Sequence, residues 1–133
     1  MNLSKGEYSV IENFGVPWEQ DYGYVQAIRS GDTIYLSGQV GHRGTEILAG
    51  IEEQMRQAYA NAEELLQRYG ASLANVVEET LFVRDMEAAF PFAGPVRKAA
   101  YGREDPQVAS TIVETTRLAF PELLIEIAFT ARV

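Results

Sequence analysis

The chain carries one histidine, no cysteine and nineteen carboxylates, so its chemistry rests on oxygen and imidazole rather than sulfur. Without cysteine there is no thiolate nucleophile, no thiolate metal site and no disulfide framework. His42 stands in Gly41-His42-Arg43-Gly44. It has no second histidine for a metal and no evident triad partner, and it reads as a surface loop histidine rather than a base. The spacing Gly38-x-x-Gly41-x-x-Gly44 is not a dinucleotide fingerprint, because no parallel strand context follows and the next helix starts several residues too late. Glu126 is the stronger candidate. It sits in Leu124-Ile125-Glu126-Ile127-Ala128, a carboxylate in the middle of an apolar strand. It is either ion-paired, with Arg84 or Arg117, or held in a dry pocket. Desolvation there would raise its pKa and let it handle protons near neutrality. Composition alone favours the pair.

The elements that must position Glu126 follow from periodicity. Glu7 to Asn13 reads as a short strand, followed by an irregular stretch from Phe14 to Gly23. Tyr24 to Ser30 and Thr33 to Ser37 pair as a hairpin across Gly31-Asp32. Ala49 to Tyr69 is the clearest helix, with Ile51, Met55, Ala58, Ala62, Leu65, Leu66 and Tyr69 on one stripe and Gly70 after its end. Val76 to Arg84 is a strand, and Met86 to Tyr101 a second helix, interrupted or restarted around Pro91 and Pro95. Ala109 to Thr116 and Leu123 to Arg132 are the final strands. The order βββ-α-β-α-ββ predicts an α+β fold, a mixed sheet with two helices on one face, built as a single domain over residues 1–133.

One face of that sheet lacks a cover. Leu123, Ile125, Ile127, Phe129 and Ala131 form an unbroken apolar face for the helices. The opposite face, Glu122, Leu124, Glu126, Ala128, Thr130 and Arg132, is not the polar face that solvent would require. In the strand at 76–84, Val77, Leu81 and Val83 are expected inward, with Val76, Glu78, Thr80, Phe82 and Arg84 outward. Two helices cannot cover both faces of a sheet of about six strands. The second face is therefore expected to be an interface with another copy of the chain.

Composition limits the partners. The net charge of −8, from eleven basic and nineteen acidic residues, works against a phosphate backbone, which needs clustered Lys and Arg. No run approaches the roughly eighteen apolar residues of a membrane span. Met1 to Glu7 has no apolar h-region of a secretory signal. With the absence of cysteine, these features predict a cytoplasmic protein with neither nucleic-acid nor membrane partner.

Three segments resemble the RidA/YjgF family. The first is Tyr24-Val25-Gln26-Ala27 with Ile34-Tyr35-Leu36-Ser37-Gly38-Gln39-Val40. The second is the helix bearing Gln54, Asn61 and Leu65, followed by Val77 to Asp85. The third is Ala109-Ser110-Thr111-Ile112-Val113-Glu114 with Arg117-Leu118 and Ile125-Glu126-Ile127. The resemblance implies a chorismate-mutase-like fold and a homotrimer, sheets inside and helices outside, with small-molecule pockets between neighbouring subunits. It implies hydrolysis of reactive enamines and imines such as 2-aminoacrylate to 2-oxo acids and ammonia, with no metal or organic cofactor. By position, Tyr24 and Ser37 match substrate-binding residues, and Glu126 matches the catalytic glutamate proposed to position or activate water.

Ser110 is the departure. Active deaminases of the family carry Pro-Ala-Arg-Ser, whose arginine clamps the substrate carboxylate, whereas this chain reads Val108-Ala109-Ser110-Thr111. The segment of the family's pocket asparagine, near Ala93 and Gly94, departs as well. Losing one member of a buried charge pair costs about 2–5 kcal/mol, or roughly thirtyfold to several thousandfold in transition-state binding. Ser110 is still expected to bind substrate at that position, but its hydroxyl offers one hydrogen bond and no charge. Imines derived from amino acids are thus expected to be poor substrates unless Arg84, Arg97 or Arg117 supplies the cation. Two classes of function follow: an imine hydrolase acting through Glu126, or a non-catalytic trimer that binds a metabolite or protein partner. Nucleolytic action on RNA ranks third because of the acidic composition.

Overall fold

A computed structural model describes residues 9–133. The elements in chain order are β1 (Ser9–Glu12), α1 (Pro17–Tyr22), β2 (Ala27–Ser30), β3 (Thr33–Val40), β4 (His42–Arg43), β5 (Glu46–Ile47), α2 (Ile51–Gln67), a 3-10 turn at Leu73–Asn75, β6 (Val76–Val83), α3 (Met86–Tyr101), β7 (Ala109–Glu114) and β8 (Ile125–Arg132). Glu7 and Tyr8 of the expected first strand lie outside the described residues. Six strands form one mixed sheet in the order β1-β2-β3-β8-β6-β7. All neighbours are antiparallel except β6 and β7, which run parallel across the α3 crossover.

The core lies between the sheet and the two long helices. From α2, Met55, Ala58, Tyr59, Ala62, Leu65 and Leu66 are buried, as the stripe predicted. From β8, Ile125, Ile127, Phe129 and Ala131 meet them. At about 25 cal/mol per Å² of apolar surface removed from water, each large side chain contributes on the order of 1.5–3 kcal/mol. The other sheet face stays open: Ile11, Tyr35 and Val113 are 51%, 49% and 38% exposed, and Phe82 beside them is half-buried.

Three details differ from the sequence reading. The stretch expected to be irregular holds the helix α1, which is only six residues long and too short to show a period. Pro17 starts it with a preset φ, and Gly23 at φ 75° ends it, its N–H donating to the Glu19 carbonyl. Helix α3 runs without a break through Pro91 and Pro95. The two prolines are four residues apart and both exposed, so the carbonyls they leave without a donor face water. Val77 points outward, 45% exposed, because a bulge between Val76 and Glu78 places an extra residue in β6. Val76 takes the inward position instead, and Glu79 is buried on the same side as Leu81 and Val83.

Candidate functional site

A second bulge builds the site. Leu36 pairs with Phe129 and Gln39 with Ile127, so Ser37 and Gly38 together oppose Ala128. This re-aims β3 beside Glu126. A side chain at Gly38 would collide with the Glu126 carboxylate, so glycine there is what makes room for the acid. The strand then turns at Gly41, where a Cβ would meet the α2 backbone at Gln54. Asn61 Nδ2 donates to the Val40 and His42 carbonyls, both at 3.0 Å. Gln54 Nε2 donates to Leu48 O at 2.8 Å and Glu122 O at 2.9 Å, and its Oε1 accepts from Leu124 N–H at 2.8 Å. These two buried amides tie α2 to both chain segments that flank the site, which is the structural work done by Gln54 and Asn61.

The result is a cavity of about 260 Å³ whose walls include Trp18, Tyr22, Tyr24, Ser37, His42, Phe120 and Glu126. Three of the four residues singled out from sequence, Tyr24, Ser37 and Glu126, thus share one site. Ser37 Oγ donates to Val25 O at 2.6 Å, which fixes the hydroxyl against the segment leading into β2. Gln39 Nε2 donates to Gln26 Oε1 at 2.9 Å, and Gln26 Nε2 reaches the Tyr24 oxygen at 3.4 Å, an amide ladder leading to the phenol. Burial raises the Tyr24 pKa, with the negative charges of Glu19 and Glu126 adding to the effect against the Gln26 hydrogen bond.

The Glu126 ion pair expected from composition is not formed. Among the described residues, Arg84 Nη1 donates to Pro121 O at 2.9 Å instead, and Arg117 lines a separate cavity with Arg84. Glu126 instead stands half-buried in the wall of the cavity, and that burial raises its pKa. His42 is the second correction. It is 4% exposed, paired into β4 opposite Ile47, and enclosed edge-on by Phe14 and Trp18 at centroid distances of 5.4 and 5.3 Å. The glycine-rich loop looked like surface, but the short β4–β5 hairpin folds its first residue inward. The helix α1 and the position of Phe120 also escaped the sequence reading. The only signal was the cluster of aromatics around Trp18 in a stretch without period.

Ser110 lies elsewhere on this subunit. Its Oγ donates to Glu79 Oε2 at 2.7 Å and accepts from Arg97 Nη2 at 2.9 Å. The Glu79 side chain is 0% exposed. It also accepts from Tyr59 Oη and Tyr101 Oη, each at 2.8 Å, and from Arg97 Nε at 2.8 Å. Burial, then the Glu79 charge, pushes both phenols far above their ordinary range. A second cavity of about 380 Å³ opens beside Arg97 and Ser110 at the β7 edge.

The model of the family described as Endoribonuclease L-PSP matches residues 19–133. A RutC family protein of Sulfurisphaera tokodaii is 38% identical over 108 residues, covering 79% of this chain and 83% of that protein. A 2-iminobutanoate/2-iminopropanoate deaminase of Dermatophagoides farinae is 36% identical over 78 residues, which span 56% of this chain and 60% of that protein. Among solved structures, a YjgF-family member from Mycobacterium tuberculosis matches with a TM-score of 0.83 at 30% identity, over 94% of this chain and 99% of that chain.

Proposed function

Because the chain belongs to the RidA/YjgF family, we propose that it hydrolyses a reactive imine or enamine in a small-molecule cavity completed between the subunits of a homotrimer, with Glu126 directing the water. One observation carries the reading: a carboxylate without an ion pair among the described residues, desolvated, lying over Gly38 in a cavity shared with Tyr24 and Ser37. A base whose pKa is raised by partial burial is suited to proton transfer nearer neutral pH. The protonated imine, an iminium that an enamine reaches by protonation at carbon, takes the water oxygen at its C=N carbon while one water proton passes to Glu126, which leaves a neutral carbinolamine. Glu126 returns that proton to nitrogen, the carbinol hydroxyl gives its own proton to Glu126 as the C–N bond breaks, and a carbonyl and ammonia leave, the ammonia taking the last proton as ammonium. Every atom is accounted for without a redox partner or a covalent enzyme intermediate. The deaminase relative supports this reaction class. Ser110, without charge, argues against efficient turnover of 2-aminoacrylate itself.

The experiment is a panel of imines generated in situ, both amino-acid-derived and amine-derived, with ammonia release followed for wild type and Glu126→Gln. The expected outcome is turnover of at least one imine and a loss of about 10²-fold or more in the variant. No ammonia above background for any imine would leave the non-catalytic binding trimer as the better account.

A further inference from the structure

We propose that the Glu126 cavity selects an organic cation with a flat apolar body, an iminium or its parent ammonium, and disfavours a substrate that bears a carboxylate. The inference rests on the imine reading above and names its substrate class. Among the described residues, no Lys or Arg lines the cavity, and Glu126 is its one carboxylate. The remaining wall is aromatic. Trp18 and Phe120 meet at a centroid distance of 5.6 Å and 72°, and Tyr22 tilts 41° from Phe120 at 6.4 Å. Rings set at such angles form a corner rather than a closed stack. Their faces can flank a planar group and stabilise a positive charge through the ring quadrupole.

His42 adds an acceptor. Its Nδ1 lies 2.8 Å from Gly44 O, and a carbonyl only accepts, so Nδ1 carries the proton. In the neutral ring Nε2 is then a lone pair without a partner among the described residues, on the wall of the same cavity. Carboxylate, imidazole nitrogen and π-faces all accept or attract positive character. A carboxylate-bearing substrate would meet repulsion from Glu126 and find no fork to receive it. Arg97, the arginine in contact with Ser110, does not change this balance even if brought near by another subunit. Its charge is already neutralised by the buried carboxylate of Glu79. For an iminium, water addition at carbon with proton transfer to Glu126 gives a neutral carbinolamine. That intermediate collapses to a carbonyl compound and ammonia, so the positive charge that secures binding is also what activates the carbon.

Trp18 is the chain's single tryptophan, so its emission reports this cavity alone. The test titrates full-length protein with three probes sharing one ring: 2-phenylethylammonium, 2-phenylethanol and 3-phenylpropanoate. Expected is a saturable change with the ammonium at a Kd about tenfold or more below that of the carboxylate. Glu126→Gln should bring ammonium and alcohol within about twofold, and Tyr22→Ala should weaken the ammonium by about two- to fivefold. Tyr22 is 64% exposed, so that variant keeps the fold. The proposal fails if the carboxylate binds as well as the ammonium, if no probe gives a saturable change, or if a natively folded Glu126→Gln keeps the full preference. Ammonia release separates this failure from that of the reaction. Turnover of 2-imino acids without a cation preference overturns the substrate class and keeps imine hydrolysis. A cation preference without turnover of any imine does the reverse.

Discussion

Glu126 carries two opposed duties, and its pH behaviour separates them. Desolvation holds its pKa above the ordinary value of 4.5, a value the unfolded chain recovers. Between the two pKa values the folded protein keeps a proton that the unfolded chain has released, so stability falls as pH rises through this window. The contribution is complete below the ordinary value and lost above the raised one. Ionised Glu126 is therefore destabilising at the pH where it serves as a base. Glu126→Gln should raise Tm relative to wild type near pH 8, with the difference shrinking toward the ordinary carboxylate pKa. Its acid limb should also vanish from the kcat/KM profile of any active imine, where wild type shows a limb displaced above the usual carboxylate range. A Tm difference that grows as pH falls would mean that Glu126 is held by an attractive partner rather than by desolvation. That outcome would revive the ion pair favoured by composition.

At the scale of elements, β6 shows how a strand can be legible in outline and misread in detail. Its extent was plain from Val, Thr, Leu and Phe, and so was the apolar face of β8, whose strict alternation leaves one solution. A single bulged residue at Val77 was not legible, because no side chain in Val76-Val77-Glu78-Glu79 disfavours either register. The consequence is that Val76 stands on the core face and Val77 on the open one. Glu79, on the same side as Leu81 and Val83, is buried too, and it was not legible as the centre of a network because two of its donors, Arg97 and Tyr101, come from α3, distant in sequence. The candidate site divides the same way. Tyr24, Ser37 and Glu126 were legible through motif resemblance. Trp18 and Phe120 were not, since a six-residue helix and a loop carry no period, and His42 was misplaced because local glycine content does not report tertiary cover. The Glu79 network gives a prediction of its own. Glu79→Ala leaves Arg97 and two buried hydroxyls without their acceptor, a loss of about 3–5 kcal/mol and roughly 10–20 °C in Tm. Thermal melting checks it, and a shift of only a degree or two would show that water replaces the carboxylate readily.

At the scale of the molecule, the open sheet face and the cavity belong to one problem. Phe82 is the β6 partner of Glu126, and Val113 pairs with Phe82 across the parallel ladder. The apolar face thus runs up to the rim of the site. Tyr35 stands farther along the same face, opposite Thr130 and 49% exposed, so about half of it is left uncovered within the chain. In the proposed trimer this face is buried against neighbouring copies, and an aromatic at such a seam is worth about 2 kcal/mol or more. Tyr35→Asp replaces that contact with a charge on the same sheet face as Glu78, with Thr130 of β8 between them. Within one subunit it disturbs nothing buried, so the far-ultraviolet circular dichroism should match wild type. Light scattering should find wild type at three times the chain mass and Tyr35→Asp at the mass of one chain. Imine turnover should fall at least about tenfold with it, because a rim completed by a neighbour loses its exclusion of water and its hold on the substrate. Wild type at the mass of one chain would refute the trimer directly. A monomeric variant with undiminished turnover would instead show that Glu126, Tyr24, Ser37 and the aromatic walls suffice within one chain, and that the face serves assembly alone.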